Sequence, residues 1–140
     1  MLRASAARAR WQSKVMYRPY EEIFKRKPDF RVTYTIFSQE EGGRYNLPNQ
    51  GIRWDFWYEH PEHSKGMLFM IYPEFEDSNG NIITDPTLTV SRYGTARMWI
   101  LADEKIEYHR NKIKFGTHGF FMEGNKKVGE CEVIELINLK

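Results

Sequence analysis

The sequence predicts an all-β fold: a single small antiparallel β-barrel with a basic N-terminal tail. Three observations lead there. After Pro28 the chain breaks into short apolar and aromatic runs separated by Gly, Pro, Asn and Asp, the pattern of strands joined by tight turns. Phe30, Val32, Tyr34 and Ile36 alternate with Arg31, Thr33 and Thr35, so one side of a strand can sit on a core while the other meets water. No long helical pattern interrupts this rhythm, which favours a closed sheet over a layered α/β arrangement.

The size agrees. At 140 residues the chain suits one domain and a tail, divided here into residues 1–28 and 29–140. An aromatic content of 15% is high and suits strands. The formal charge of +2 is well below that of a dedicated nucleic-acid binder, so charge alone names no partner. Cys131 is the single cysteine and has no partner for an internal disulfide, which points to a reducing compartment. No apolar run is long enough to span a bilayer and no secretory core opens the chain, so a soluble, cytoplasmic protein without membrane contact is expected.

From the N-terminus onward, residues 1–20 hold no acid, while Arg3, Arg8, Arg10, Lys14 and Arg18 lie among Ala, Ser and bulky apolar residues. Two readings fit: a basic tail, disordered or part-helical, or an organellar transit peptide that would place the protein in the mitochondrial matrix. Met16 is a second candidate start. Between Arg18 and Pro28, Ile23 and Phe24 suit one helical turn before the proline.

The first strand begins near Asp29. A second carries Trp54, Phe56 and Tyr58 on one side and Asp55 and Trp57 on the other, until Pro61. The nearly continuous apolar stretch from Met67 to Tyr72, bounded by Gly66 and Pro73, reads as a buried strand. Asn79-Gly80 marks a tight hairpin turn. Further strands are expected at Leu88–Val90, Ala96–Leu101, Ile113–Phe115, Gly119–Met122 and Val128–Leu136, about seven in all, with Glu123-Gly124-Asn125 turning the last pair.

One turn stands out. In Ser38-Gln39-Glu40-Glu41-Gly42-Gly43-Arg44 the two glycines allow backbone conformations closed to other residues, and Arg44 is placed to answer Glu40 and Glu41. A loop later, Gly51-Ile52-Arg53 precedes the aromatic strand, and Arg53 is expected to pair with the same acidic turn. These motifs, in register, resemble the third domain of elongation factor Tu, where a strand runs into Ser-Lys-Glu-Glu-Gly-Gly-Arg and then Gly-Tyr-Arg-Pro-Gln-Phe-Tyr. Gly119-Phe120-Phe121-Met122-Glu123-Gly124 with Lys127-Val128-Gly129 resembles that domain's final hairpin. The similarity spans roughly Asp29 to Leu136 and is weak between about Glu59 and Tyr108.

The resemblance implies a barrel that packs on sister domains and touches the T-stem of aminoacyl-tRNA. Here Glu40, Glu41, Gly42, Gly43, Arg44, Gly51 and Arg53 are read as the fold-defining turn. No phosphate-cradling Gly-x-x-x-x-Gly-Lys-[Ser/Thr] loop is present, so neither nucleotide nor other cofactor is expected. Asp55 stands where the family offers a Gln to the T-stem, and Met122 where it has an Arg; both changes count against tRNA. Lys126 and Lys127 offer substitute cations. The reading is a noncatalytic binding module making protein contacts, with translation machinery or itself, and the alternative is an RNA-binding accessory. Trp57, Glu123, Gly124, Lys126 and Lys127 are the candidate contacts.

Two further constellations carry less. His60-Pro61-Glu62-His63 has metal-binding residue types, with His109 or His118 able to approach, yet Pro61 spoils helical spacing, and an exposed polar loop is the simpler reading. Cys131 alternates with Val133 in the last strand between Glu130 and Glu132, a setting that disfavours a thiolate, so an ordinary barrel residue is expected and no catalytic or metal site is assigned.

Overall fold

The computed structural model describes residues 16–140; the expectations for residues 1–15, including the transit-peptide reading, lie outside them. Six strands form one antiparallel sheet: β1 (Phe30–Ile36), β2 (Asp55–Tyr58), β3 (Ile71–Phe75), β4 (Tyr93–Ile100), β5 (His118–Glu123) and β6 (Lys126–Leu136). Their order is β2-β5-β6-β1-β4-β3, and the sheet curls into a half-barrel. The edges are drawn together by an isolated bridge in which Phe56 and Phe69 exchange backbone hydrogen bonds of 3.0 and 2.9 Å. The all-β, barrel-like expectation holds.

Alternation does the sorting. Phe30, Val32, Tyr34 and Ile36 are buried in β1, and Phe56 and Tyr58 in β2, where they meet Phe75, Met98, Phe121 and Val133. This interior is strongly aromatic, with Tyr34, Trp54, Phe75 and Phe121 packed edge-on or tilted at centroid distances of 5.1 to 6.3 Å. Opposite Phe121 and Met122 the pairing skips Val128, a bulge in β6 that leaves both Val128 and Gly129 buried, while β5 itself alternates, with Phe121 in the interior cluster and Met122 outside it.

At the exposed edge of β3, the Gln50 side chain stands in for a strand. Its Nε2 donates to the carbonyls of Phe75 (2.8 Å) and Ile83 (2.9 Å), and its Oε1 accepts the Phe75 N–H (2.9 Å). One buried amide thus satisfies three backbone groups of the loop and edge.

Three strand expectations are corrected. The strand placed at Met67–Tyr72 starts at Ile71 and runs through Pro73, because β3 is an edge strand where a missing N–H forfeits no ladder bond. Leu88–Val90 is not a strand; Thr89 makes one isolated bridge to Asn49, only Val90 is buried, and Leu88 is exposed. Ile113–Phe115 is a turn following a helix, with Ile113 buried and Phe115 exposed, so six strands form instead of about seven.

Among the described residues two short helices accompany the sheet. α1 (Tyr20–Phe24) falls within the expected Arg18–Pro28 turn and ends at Lys25 in a left-handed conformation. It belongs to a strap over the outer face of β3 and β4. Tyr17 donates its hydroxyl to Glu74 (2.6 Å) and the Tyr20 N–H donates to the same oxygen (2.8 Å), while Arg26 reaches Asp29 (3.0 Å) and the Ile100 carbonyl (2.9 Å). α2 (Ile106–Arg110), preceded by a 3-10 turn at Asp103–Lys105, buries only His109 and so carries no apolar period to announce it.

Candidate functional site

The antiparallel order sends the loops after β1 and β3 and the β5–β6 turn to one end of the barrel, which brings the two ends of the motif set together. In the Ser38–Arg44 turn, Gly42 has φ +91° and Gly43 packs so closely that a Cβ there would lie 2.2 Å from the Phe37 carbonyl oxygen. Glu41 closes the turn on itself, accepting the Ser38 N–H at 2.9 Å, and that hydrogen bond holds its carboxyl below the usual range. Arg44 does not answer Glu40 or Glu41 as expected. Its Nε pairs instead with Glu123 at 3.0 Å, because the β5–β6 turn stands directly across from it.

Glu123 also accepts the Trp54 indole N–H at 2.9 Å, and the Arg44 guanidinium lies 6.0 Å from the centre of the Trp54 ring. The Lys126 ammonium donates to the Gly43 carbonyl at 2.9 Å. Gly124 supplies the positive φ of the hairpin. Of the proposed contact residues, Glu123, Gly124 and Lys126 therefore clasp the two turns together. Gly51, also at positive φ, lies against the Tyr17 ring. Arg53 is corrected as well: it does not join the acidic turn but lies near Tyr20, whose phenol is raised by burial and by Glu74, with the Arg53 charge opposing.

Trp57 and Lys127 come together on a different surface, the outer face of β2, β5 and β6. Register places Trp57 beside Phe120, and their rings stack at 6.0 Å with an interplanar angle of 25°. The Lys127 ammonium lies 3.9 Å from the Phe120 ring centre and 5.8 Å from that of Trp57. The indole N–H donates to the Ser64 carbonyl at 3.0 Å, which pins the ring while leaving it half-buried. Beside it lies a groove of about 180 Å³ lined by Trp57, Lys65, Gly66, Met122, Asn125 and Lys127. No protein-family model matches the chain, and no curated protein does.

From Phe120 onward the same face turns acidic, beginning with its register partner Glu130. His118 lies 3.7 Å from Glu59 and 4.0 Å from Glu130, and Glu132 sits opposite it in register. Asp55, paired with Met122, has its carboxyl raised by burial. The lysines thus occupy one end of the aromatic platform together with Asp55, and Glu59, Glu130 and Glu132 gather around Phe120 and His118.

The histidine loop is not simply an exposed polar loop. His63 is buried, with Nδ1 3.2 Å from the Tyr58 carbonyl and Nε2 3.0 Å from the Tyr108 hydroxyl, while the Tyr58 hydroxyl meets His109 Nδ1 at 2.8 Å. Burial first, then the nearby His63 and Lys112, lowers His109 to about 4. Among the described residues no group of three or more His, Cys, Asp or Glu side chains is placed to hold a metal ion. Cys131 is buried in β6, and burial followed by the Glu130 charge pushes its thiol up. The sequence signal for this cluster was present in Tyr58 and His63, close together in the chain, but His109 joins them from a helix far along it.

A larger depression of about 630 Å³ lies over β1 and β4, lined by Arg31, Glu76 and Tyr93 among others. Its buried Glu76 is already engaged by Arg31 (2.7 Å), Thr95 (2.6 Å) and Arg97 (2.9 Å); burial works to raise its carboxyl, and these donors outweigh it. That knot reads as structural. No helix of the described residues is long and apolar enough to cross a membrane.

Proposed function

We propose that the chain is a noncatalytic binding module, similar to the third domain of elongation factor Tu, which makes protein–protein contacts through its Trp57–Phe120–Lys127 face. The partner is a component of the translation machinery or a second copy of the chain. One observation carries the reading: a stacked aromatic pair, pinned by the Trp57–Ser64 hydrogen bond, stays half-exposed on an outer face. Rigid, partly exposed aromatics with a cation beside them are the usual anchors of protein interfaces.

RNA binding is the second reading, because an aromatic pair beside a lysine also suits base stacking. Glu59, Glu130 and Glu132 on the same face oppose a phosphate backbone, and Lys126 is engaged with the Gly43 carbonyl. A tagged full chain used as bait, compared with its Trp57→Ala variant, tests the proposal. Recovery of ribosomal or elongation-factor components, or self-association on sedimentation, that is lost in the variant supports it. Equal recovery by both chains overturns it. Binding to RNA that falls steeply with added salt would transfer the face to the second reading.

A further inference from the structure

Of the surfaces on this molecule, the groove beside Trp57 has the most specific chemistry. Its floor is Met122, buried yet outside the interior cluster because alternation along β5 puts it on the outer side with Phe120. One wall is the Trp57 ring, held by Ser64. Lys65 and Lys127 flank the opening, both exposed, and Asn125 adds an amide at the rim. At about 180 Å³ the groove takes one or two side chains rather than a folded domain.

Among the described residues Lys127 has no carboxylate partner; its ammonium faces the Phe120 ring at 3.9 Å. A cation over an aromatic face keeps its charge and leaves its remaining N–H donors directed outward. The positive end of the face is short, since Glu130 stands opposite Phe120 in register, Glu59 and Glu132 flank His118 behind it, and Asp55 lies opposite Met122 with its carboxyl raised by burial. A polyanion running across the platform would meet those carboxylates. A peptide offering one carboxylate next to one apolar side chain would not.

We infer that this groove binds a short peptide segment of a partner protein in which an Asp or Glu lies within a residue or two of a large apolar side chain. The apolar side chain rests on Trp57 and Met122, and the carboxylate is received by Lys127 and Lys65. This rests on the binding-module reading and adds the chemistry of the partner to it.

The test pans a random-peptide display library on the immobilised full chain, with an oligouridine as a parallel probe, then measures recovered peptides by fluorescence anisotropy. Acid enrichment next to Leu, Phe or Trp is expected. The double variant Lys65→Glu plus Lys127→Glu, confirmed as folded by circular dichroism, should lose about tenfold or more in affinity, as charge reversal at a desolvating contact does. Peptides with Asp or Glu changed to Lys should then regain binding to the double variant, which a purely structural role for the lysines would not produce. Recovered peptides without acid enrichment, or equal affinity for wild type and double variant, overturn the inference. If Trp57→Ala still abolishes binding in that case, the docking face stands and only its acidic chemistry falls; if it does not, both fall. Lysine-dependent binding of oligouridine in place of any peptide overturns it in favour of RNA.

Discussion

Trp99 and Trp57 both point outward from the sheet, each beside other aromatics and a cation, yet the chain handles them in opposite ways. Trp99 is fully buried: Tyr20 and Phe24 of the strap pack on it at 5.8 Å, Arg26 lies over it at 5.3 Å, and its indole N–H donates to the buried Glu74 at 3.0 Å. Among the described residues Trp57 has Phe120, a loop carbonyl and a lysine beside it and remains half-buried. A barrel this small cannot place every large aromatic inside. One surplus face is closed by the chain's own N-terminal segment, and the other is left with a rigid, chemically defined surface. Outward aromatics therefore do not by themselves mark a binding site; what separates these two is whether the described residues already supply the cover.

Truncating the two indoles should give the most unequal losses. Trp99→Ala should destabilise by about 3–5 kcal/mol, the range for emptying a large buried aromatic site, whereas Trp57→Ala should cost only about 1 kcal/mol. Urea unfolding followed by circular dichroism reads both, and equal losses would erase the distinction.

Acid probes the support beneath the open face, since Tyr58 on β2, next to Trp57, is held by His109 and His63. His109 is lowered from 6.5 to about 4 by burial, so it stays neutral when folded while the unfolded chain takes up a proton. Its contribution is therefore complete above the unfolded value and is lost as pH falls from about 6.5 towards 4, a drop of about 2–3 kcal/mol. His109→Gln should flatten that part of a stability–pH curve.

Glu74→Gln sharpens the other side. Replacing a carboxylate that accepts three hydrogen bonds should cost about 1–2 kcal/mol. Hydrogen exchange should quicken at Tyr20–Lys25 without a matching change in β5. The smallest effect expected is at the barrel end: Glu123→Gln weakens a half-exposed pairing with Arg44 and should cost only about 0.5 kcal/mol, read from the thermal midpoint.

How far these features could be read from sequence varies by element. β1 was fully legible, because Phe30, Val32, Tyr34 and Ile36 set a period of two that the interior uses as written. Trp57 was legible by the same alternation. Pro73 misled, since only the sheet order shows that it occupies an edge. Glu74 carried no local signal at all: its partners Tyr17, Tyr20 and Trp99 come from segments far apart in the chain. Arg44 found Glu123, not its neighbours, for the same reason. Met122 was legible as a lost cation, but the bulge at Val128 that sets Lys127 opposite it arises only from the pairing of β5 with β6.

The Gln50 amide has a consequence for how anything can attach to this molecule. An unpaired sheet edge invites an incoming chain to extend the sheet by backbone pairing, the route by which many small β domains capture peptides, dimerise or aggregate. Here the outer rim of β3 is occupied at Phe75 by a side chain imitating a peptide group, and the rim of β2 is occupied at Phe56 by the Phe69 backbone. Both docking rails are blocked from within. Recognition is thereby steered to side chains on a surface, where partners are chosen by shape and charge rather than by the generic complementarity of main chain to main chain.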